Sequence, residues 1–230
     1  MSRIVIFTGR FGSGKTETSL NYATALSRAS LSPPSLAHGE RVALVDLDVV
    51  TPYFRSREMA LGMSRHGVEV IAPLSVSRRL DLPAISPQIL GALQNDGYHV
   101  VLDVGGDPQG ARALGQFSAT LESVGYDMLM VVNPYRPFTN SPEGIAGSIR
   151  EIEAASRLKV GALVSNPNLM DETTPEVIER GHAVVEAASR QTGLPVEFAV
   201  AERSLVEILV RRGFPIPVLA IERHMSAPWN

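Results

Sequence analysis

The 230-residue sequence predicts a doubly wound α/β fold, a mostly parallel sheet with helices on both faces. Three observations lead there. Short apolar runs alternate with helical stretches along the whole chain. The runs are continuous rather than alternating apolar and polar, so both faces of each strand are covered. A glycine-rich loop, "GRFGSGKT" (9–16), joins the first run to the first helix.

Each element follows from its residues. "RIVIFT" (3–8) reads as a buried strand and "KTETSLNYATALSRA" (15–29) as a helix. "RVALVDLD" (41–48) and "HGVEVIAP" (66–73) hold the next two strands. "SPQILGALQND" (86–96) is a helix with Pro in its first turn. A strand "YHVVLDVGG" (98–106), a helix "GARALGQFSATLESV" (110–124) and a strand "YDMLMVVN" (126–133) come next. A helix over 142–158, a strand "KVGALVSN" (159–166), a helix over 175–191 and a strand "PVEFAV" (195–200) complete the regular series. The tail has a helix at 203–212 and a Pro-rich closing segment, "FPIPVLA". "LSPPSLAHG" (31–39) is a surface loop too short to separate domains, so one domain is expected over residues 1–230.

Composition narrows the function. Hydrophobic residues make up 44%, charged residues 20% and the net charge is −3, which points to neither a nucleic-acid coat nor an anionic-membrane binder. Cysteine is absent, which excludes disulfides, thiol catalysis and iron–sulfur clusters. The five His have no metal-ligand spacing, and no zinc is expected. The opening residues do not read as a signal peptide, and no run approaches the ~20 apolar residues of a membrane span. A cytoplasmic protein is expected.

Nineteen of the 21 basic residues are Arg, leaving Lys15 and Lys159. The loop explains Lys15. "GRFGSGKT" fits G-x-x-x-x-G-K-[ST] between a strand and a helix. Gly9, Gly12 and Gly14 let the backbone turn its N–H groups inward around an anion. Ser13 and Glu17 flank that nest and join the expected nucleotide contacts. Lys15 reaches the outer phosphates, and the Thr16 hydroxyl faces Mg²⁺. "LVDLD" puts Asp46 and Asp48 at a strand end, where ligands bind in open α/β sheets. "VVLDVGGD" ends another strand with Asp103 and Gly106, a D-x-x-G spacing that offers a magnesium ligand and a γ-phosphate N–H donor.

Together, "TGRFGSGKTETSLNYA", "RVALVDLDVVTPYFRSRE", "VVLDVGGDPQGARALG" and "ALVSNPNL" resemble the MinD/ParA/nitrogenase-iron-protein class of P-loop ATPases. The resemblance is closest to the cobyrinic acid a,c-diamide synthase-like nucleotide-binding proteins and covers about residues 3–200. It implies ATP binding, slow hydrolysis and often an ATP-sandwiched homodimer. It implies that Asp46 and Asp103 serve magnesium and that Asp48 positions the attacking water. Asn166 then resembles the base-reading Asn, while a turn former before Pro167 is the other reading.

The sequence departs from the class at three places. Arg10 stands where the class has its signature lysine, and Phe11 replaces a glycine. Arg10 either reaches a partner's phosphates or faces solvent. The cluster cysteines of the iron-protein branch are missing, which excludes electron transfer. The tail carries prolines and balancing Glu residues, unlike the basic membrane helix of another branch.

Three further loops are candidates for partner or ligand contact. "TPYFRSRE" (51–58) offers Tyr53, Phe54, Arg55 and Arg57 as a γ-phosphate-sensing partner loop. Arg78 and Arg79 read as surface charge or a basic rim. Asn133, Arg136 and Asn140 in "VVNPYRPFTNSPE" (131–143) are candidates for a second ligand pocket. The leading function is an ATP-dependent, Mg²⁺-dependent switch or partner-loading ATPase, with an unidentified protein or small-molecule partner. The alternative is a small-molecule ligase that activates a carboxylate, as cobyrinate and dethiobiotin synthetases do.

Overall fold

The computed structural model describes residues 3–28, 41–47, 63–64, 66–71, 87–106 and 108–224, with backbone alone at 108 and 109. Its strands are β1 (Ile4–Thr8), β2 (Arg41–Leu47), β3 (Val68–Ile71), β4 (Tyr98–Val104), β5 (Asp127–Val132), β6 (Ala162–Ser165), β7 (Val196–Glu202) and β8 (Val218–Ile221). They form one eight-stranded sheet in the order β3-β2-β4-β1-β5-β6-β7-β8. Every neighbouring pair is parallel. The chain winds from β1 toward one edge, returns, and winds toward the other. The direction therefore reverses beside β1, and the crevice at such a reversal is where open α/β sheets take ligands.

Seven α-helices are described: α1 (Lys15–Ser27), α2 (Pro87–Gln94), α3 (Pro108–Gly115), α4 (Ser118–Val124), α5 (Pro142–Ser156), α6 (Pro175–Thr192) and α7 (Arg203–Arg211). The two-residue period of the strands divides their apolar side chains between two cores. Ile4, Ile6, Leu102, Met128 and Met130 face one side, with Leu93, Leu121, Ile145, Ile149 and Val185 from α2, α4, α5 and α6. Val5, Phe7, Val101, Leu129 and Val131 face the other, with Leu20, Tyr22 and Leu26 from α1. Each fully buried aliphatic side chain contributes about 1.5–3 kcal/mol, so the covered sheet is a firm base for loops at its end. Tyr22 meets Phe7 edge-on at 5.1 Å and stacks on Phe198 at 6.1 Å. Burial, with the charges of Asp127 and Glu197, pushes its phenol up to about 12.

Two elements differ from the sequence reading. The stretch expected as one helix over 110–124 is two, α3 and α4. Gly115 lies against α5, where a Cβ would come 3.1 Å from the Ser156 carbonyl. The chain then tightens through Gln116 N–H to Ala113 O and Phe117 N–H to Leu114 O, and Phe117 enters the core. The tail beyond Pro217 is a strand, β8, paired from Ala199↔Val218 to Glu202↔Ile221. A proline just before an edge strand leaves its ladder intact.

Candidate functional site

The loop after β1 is shaped by glycine. Gly9, Gly12 and Gly14 have φ of 148°, 75° and 83°, values that residues with a Cβ avoid. Neighbours also forbid side chains. A Cβ on Gly9 would lie 2.3 Å from the Val131 carbonyl oxygen, and one on Gly14 would lie 2.2 Å from Asn166 Nδ2. A Cβ on Gly106 would fall 1.6 Å from the Gly9 carbonyl oxygen. The ends of β4, β5 and β6 thus press the loop from three directions. Inside it, Ser13 N–H donates to Arg10 O at 3.0 Å.

α1 then starts at Gly14 with no side-chain cap. The first N–H groups of a helix have no partner within it and carry partial positive charge. Lys15 adds a full charge beside them and is only 8% exposed. Around this cradle Thr8 Oγ1, Ser13 Oγ and Arg136 Nε are buried without hydrogen-bond partners. Such atoms cost about 1–3 kcal/mol each, so three around one loop call for ligand atoms. The arrangement fits an anion with several oxygens, as a phosphate chain provides.

The carboxylates lie beside it. Asp103 is buried at the end of β4, in register with Phe7 of β1 and Asp46 of β2. Strands in register hold such residues about 4.8 Å apart in the pairing direction, on the same face. Two neighbouring carboxylates with the Thr16 hydroxyl at the start of α1 suit Mg²⁺, which takes one or two carboxylates and keeps several waters. Among the described residues, no group of three or more His, Asp or Glu is placed to hold a metal. Asp48 lies outside the described residues, as do Tyr53, Phe54, Arg55, Arg57, Arg78 and Arg79.

Three predicted site residues have places the sequence did not specify. Arg10 does not face solvent. Its Nε donates to Ser148 Oγ at 2.9 Å and its Nη2 to Glu151 Oε2 at 2.5 Å, both on α5, and its guanidinium lies 5.4 Å from the Phe138 ring centroid. Reaching a partner would require it to leave those groups. Asn166, 4% exposed, donates from Nδ2 to Ser13 O at 2.7 Å. It braces the loop, and that donor reaches a base only by leaving Ser13. Glu17 turns away from the loop and accepts the His224 backbone N–H. Asn21 holds both backbone groups of Glu222 nearby, at 3.0 and 2.9 Å, which docks the tail on α1.

The loop after β5 is built rather than slack. Asn133 Oδ1 accepts the N–H groups of Tyr135 and Asn168, and its Nδ2 donates to Asn168 O at 2.9 Å. Thr139 Oγ1 donates to Asn133 O at 2.8 Å, and Tyr135 Oη to Val177 O at 2.7 Å. Asn133 is therefore a buried organiser of the loop, whereas Asn140 is exposed. Behind β6, Ser165 Oγ meets buried His182 Nδ1 at 3.1 Å. Burial holds the imidazole below its usual range. The sequence signal for these supports is weak, because the partners lie up to 207 positions apart.

No family model and no curated protein matches the sequence. Solved structures do. The cell division protein FtsY from Thermotoga maritima is 16% identical with a TM-score of 0.56, over 87% of this chain and 62% of that one. Chloroplast FtsY from Physcomitrella patens is 16% identical with a TM-score of 0.55, over 86% and 58%. The signal recognition particle receptor FtsY from Elizabethkingia anophelis, in complex with GDP, is 16% identical with a TM-score of 0.51, over 86% and 57%. This chain spans less than two thirds of each of these proteins. The FtsY structures are related to the MinD/ParA class but distinct from it, so the likeness extends to the broader fold and not to that class. The chain has the α/β fold of the P-loop NTPases.

Proposed function

We propose that the protein is a magnesium-dependent P-loop ATPase, one nucleotide-binding domain whose bound nucleotide controls its association with a partner. The observation that carries this reading is the glycine cradle at the uncapped start of α1, with Thr8, Ser13 and Arg136 atoms buried and unpartnered around it. Backbone N–H groups of 9–16 bind the phosphates and Lys15 offsets their charge. Asp46, Asp103 and Thr16 hold Mg²⁺, directly or through water, and Mg²⁺ when bound neutralises charge on phosphate oxygens. Asp48 orients the attacking water, and Gly106 lets the loop after β4 approach the cradle. Phosphoryl transfer asks little more of a protein than this positioning and charge stabilisation.

The choice of adenine rests on the sequence resemblance, and the GDP complex of one FtsY makes guanine the competitor to test. A homodimer controlled by ATP is the partner state the resemblance implies. The test is equilibrium binding of ATP and GTP, with and without Mg²⁺, to the wild-type and Lys15→Ala proteins. Solution mass by light scattering is read in parallel with ATP and with ADP. Tighter ATP binding that Lys15→Ala loses, and a mass that differs between ATP and ADP, are the expected results. Normal binding by Lys15→Ala overturns the site, tighter GTP overturns the base, and an unchanged mass overturns the homodimer.

A further inference from the structure

We infer that Arg136, on the loop after β5, is a phosphate-binding residue of the nucleotide site supplied by the same chain, and that Arg10 is a scaffold residue. This rests on the nucleotide-site reading and deepens it.

The two arginines flank the same loop in opposite states. Arg10 is fully engaged by Ser148, Glu151 and Phe138, so its charge already has a partner. Arg136 runs along the loop's second glycine: a Cβ on Gly12 would lie 3.2 Å from its Nε and 3.4 Å from its Cδ. Among the described residues its guanidinium makes no hydrogen bond or ion pair, and its Nε is buried with no acceptor. Arg136 is half-buried, and a polar N–H that is itself buried is normally paired.

Electrostatics sharpens the point. Arg136 adds positive charge where α1 begins and where Lys15 already lies. The helix N-terminus is itself partly positive. Asp46 and Asp103 lie at the same end of the sheet, and an anion in the cradle supplies the acceptor that Arg136 Nε lacks. Phosphate oxygens match a guanidinium fork, which binds them with two N–H groups.

The position is also held. Arg136 N–H donates to Asn133 O at 3.2 Å, and Thr139 N–H donates to Arg136 O at 3.3 Å. Thr139 is fully buried beneath this turn, and Asn133 ties it to the segment after β6. The glycine at 12 completes the fit, since a Cβ there would press on the arginine side chain.

The experiment measures dissociation constants of fluorescent ATP·Mg²⁺ and the melting temperature of the ligand-free protein. It compares wild type with Arg136→Gln, Arg136→Lys and Lys15→Ala. Arg136→Gln is expected to weaken binding about tenfold or more, the usual effect of losing a charge-assisted contact. Its ligand-free melting temperature should be equal to or above wild type, because a buried N–H without an acceptor is gone. Arg136→Lys should recover part of the affinity, since it restores the charge but not the fork. If Arg136→Gln binds like wild type while Lys15→Ala does not, the role of Arg136 is overturned and the site stands. If both bind like wild type, the nucleotide-site reading fails and takes Arg136 with it. An affinity loss that only tracks a lowered ligand-free melting temperature makes Arg136 a prop for Gly12 and also overturns the proposal.

Discussion

The starts of α6 and α1 solve one problem in opposite ways. At α6, Thr174 Oγ1 accepts the Val177 N–H at 3.3 Å and Pro175 occupies the first turn. Glu176 brings its own anion to the same turn. Its own backbone N–H, then Arg212 and Thr174, hold its carboxyl down at about 2. α6 is thus complete within the chain. α1 has a left-handed glycine in place of a cap, and its one first-turn acid, Glu17, reaches the tail instead. α4 and α7 also begin without a side-chain cap, so a missing cap alone marks nothing. What sets α1 apart is a cradle of glycines, a buried lysine and orphaned polar atoms. A helix that supplies its own anion is architecture, and one that leaves the place open is prepared for a ligand.

The largest expected effect removes the charge at the open start. Lys15→Ala should lower nucleotide affinity about a hundredfold, the loss of roughly two charge-assisted contacts, measured by equilibrium titration. Gly106→Ala comes next. Its Cβ would meet the Gly9 carbonyl, a backbone atom that cannot swing aside, so the cradle must shift. Denaturant titration should show about 1–3 kcal/mol of lost stability, together with weaker nucleotide binding. Thr174→Ala is the matching change at the closed start. It should cost about 1 kcal/mol of stability and leave nucleotide affinity as it was. A Thr174→Ala protein that lost affinity would dissolve the contrast between the two helices.

The smallest effect concerns acid. The Glu176 carboxyl is lowered from 4.5 to about 2 on folding. A depressed acid contributes stability that is full above its unfolded value and fades as pH falls toward its folded one. The stability attributable to Glu176 should therefore decline between about pH 4.5 and 2, on the scale of an exposed interaction. Glu176→Gln should flatten the unfolding free energy across that window. An unchanged acid limb would mean that α6 does not hold its own anion.

Much of this was legible in the sequence because its causes are local. Continuous apolar runs produced the covered strands, and the spacing of Gly9, Gly12, Gly14 and Lys15 produced the cradle. D-x-x-G placed Gly106, which packs on the Gly9 carbonyl. The rest depends on pairings between distant residues. Nothing near Arg10 announces Ser148 and Glu151, and nothing near Asn166 announces Ser13. The sequence marks Arg136 only as a candidate for a second ligand pocket, and the fold sets it beside Gly12 of the cradle instead. β8 was hidden by the prolines before it, and the break between α3 and α4 by Gly115, whose need for closeness comes from α5. Asp48, the expected water-positioning residue, lies outside the described residues.

The most direct test of the central claim is hydrogen exchange at single-residue resolution, with and without ATP·Mg²⁺. If the open start of α1 is a phosphate site, exchange should slow at the amides of residues 9–18 and stay unchanged at 174–178, where α6 is already closed. Protection at both helix starts, or none at 9–18 under saturating nucleotide, would contradict it.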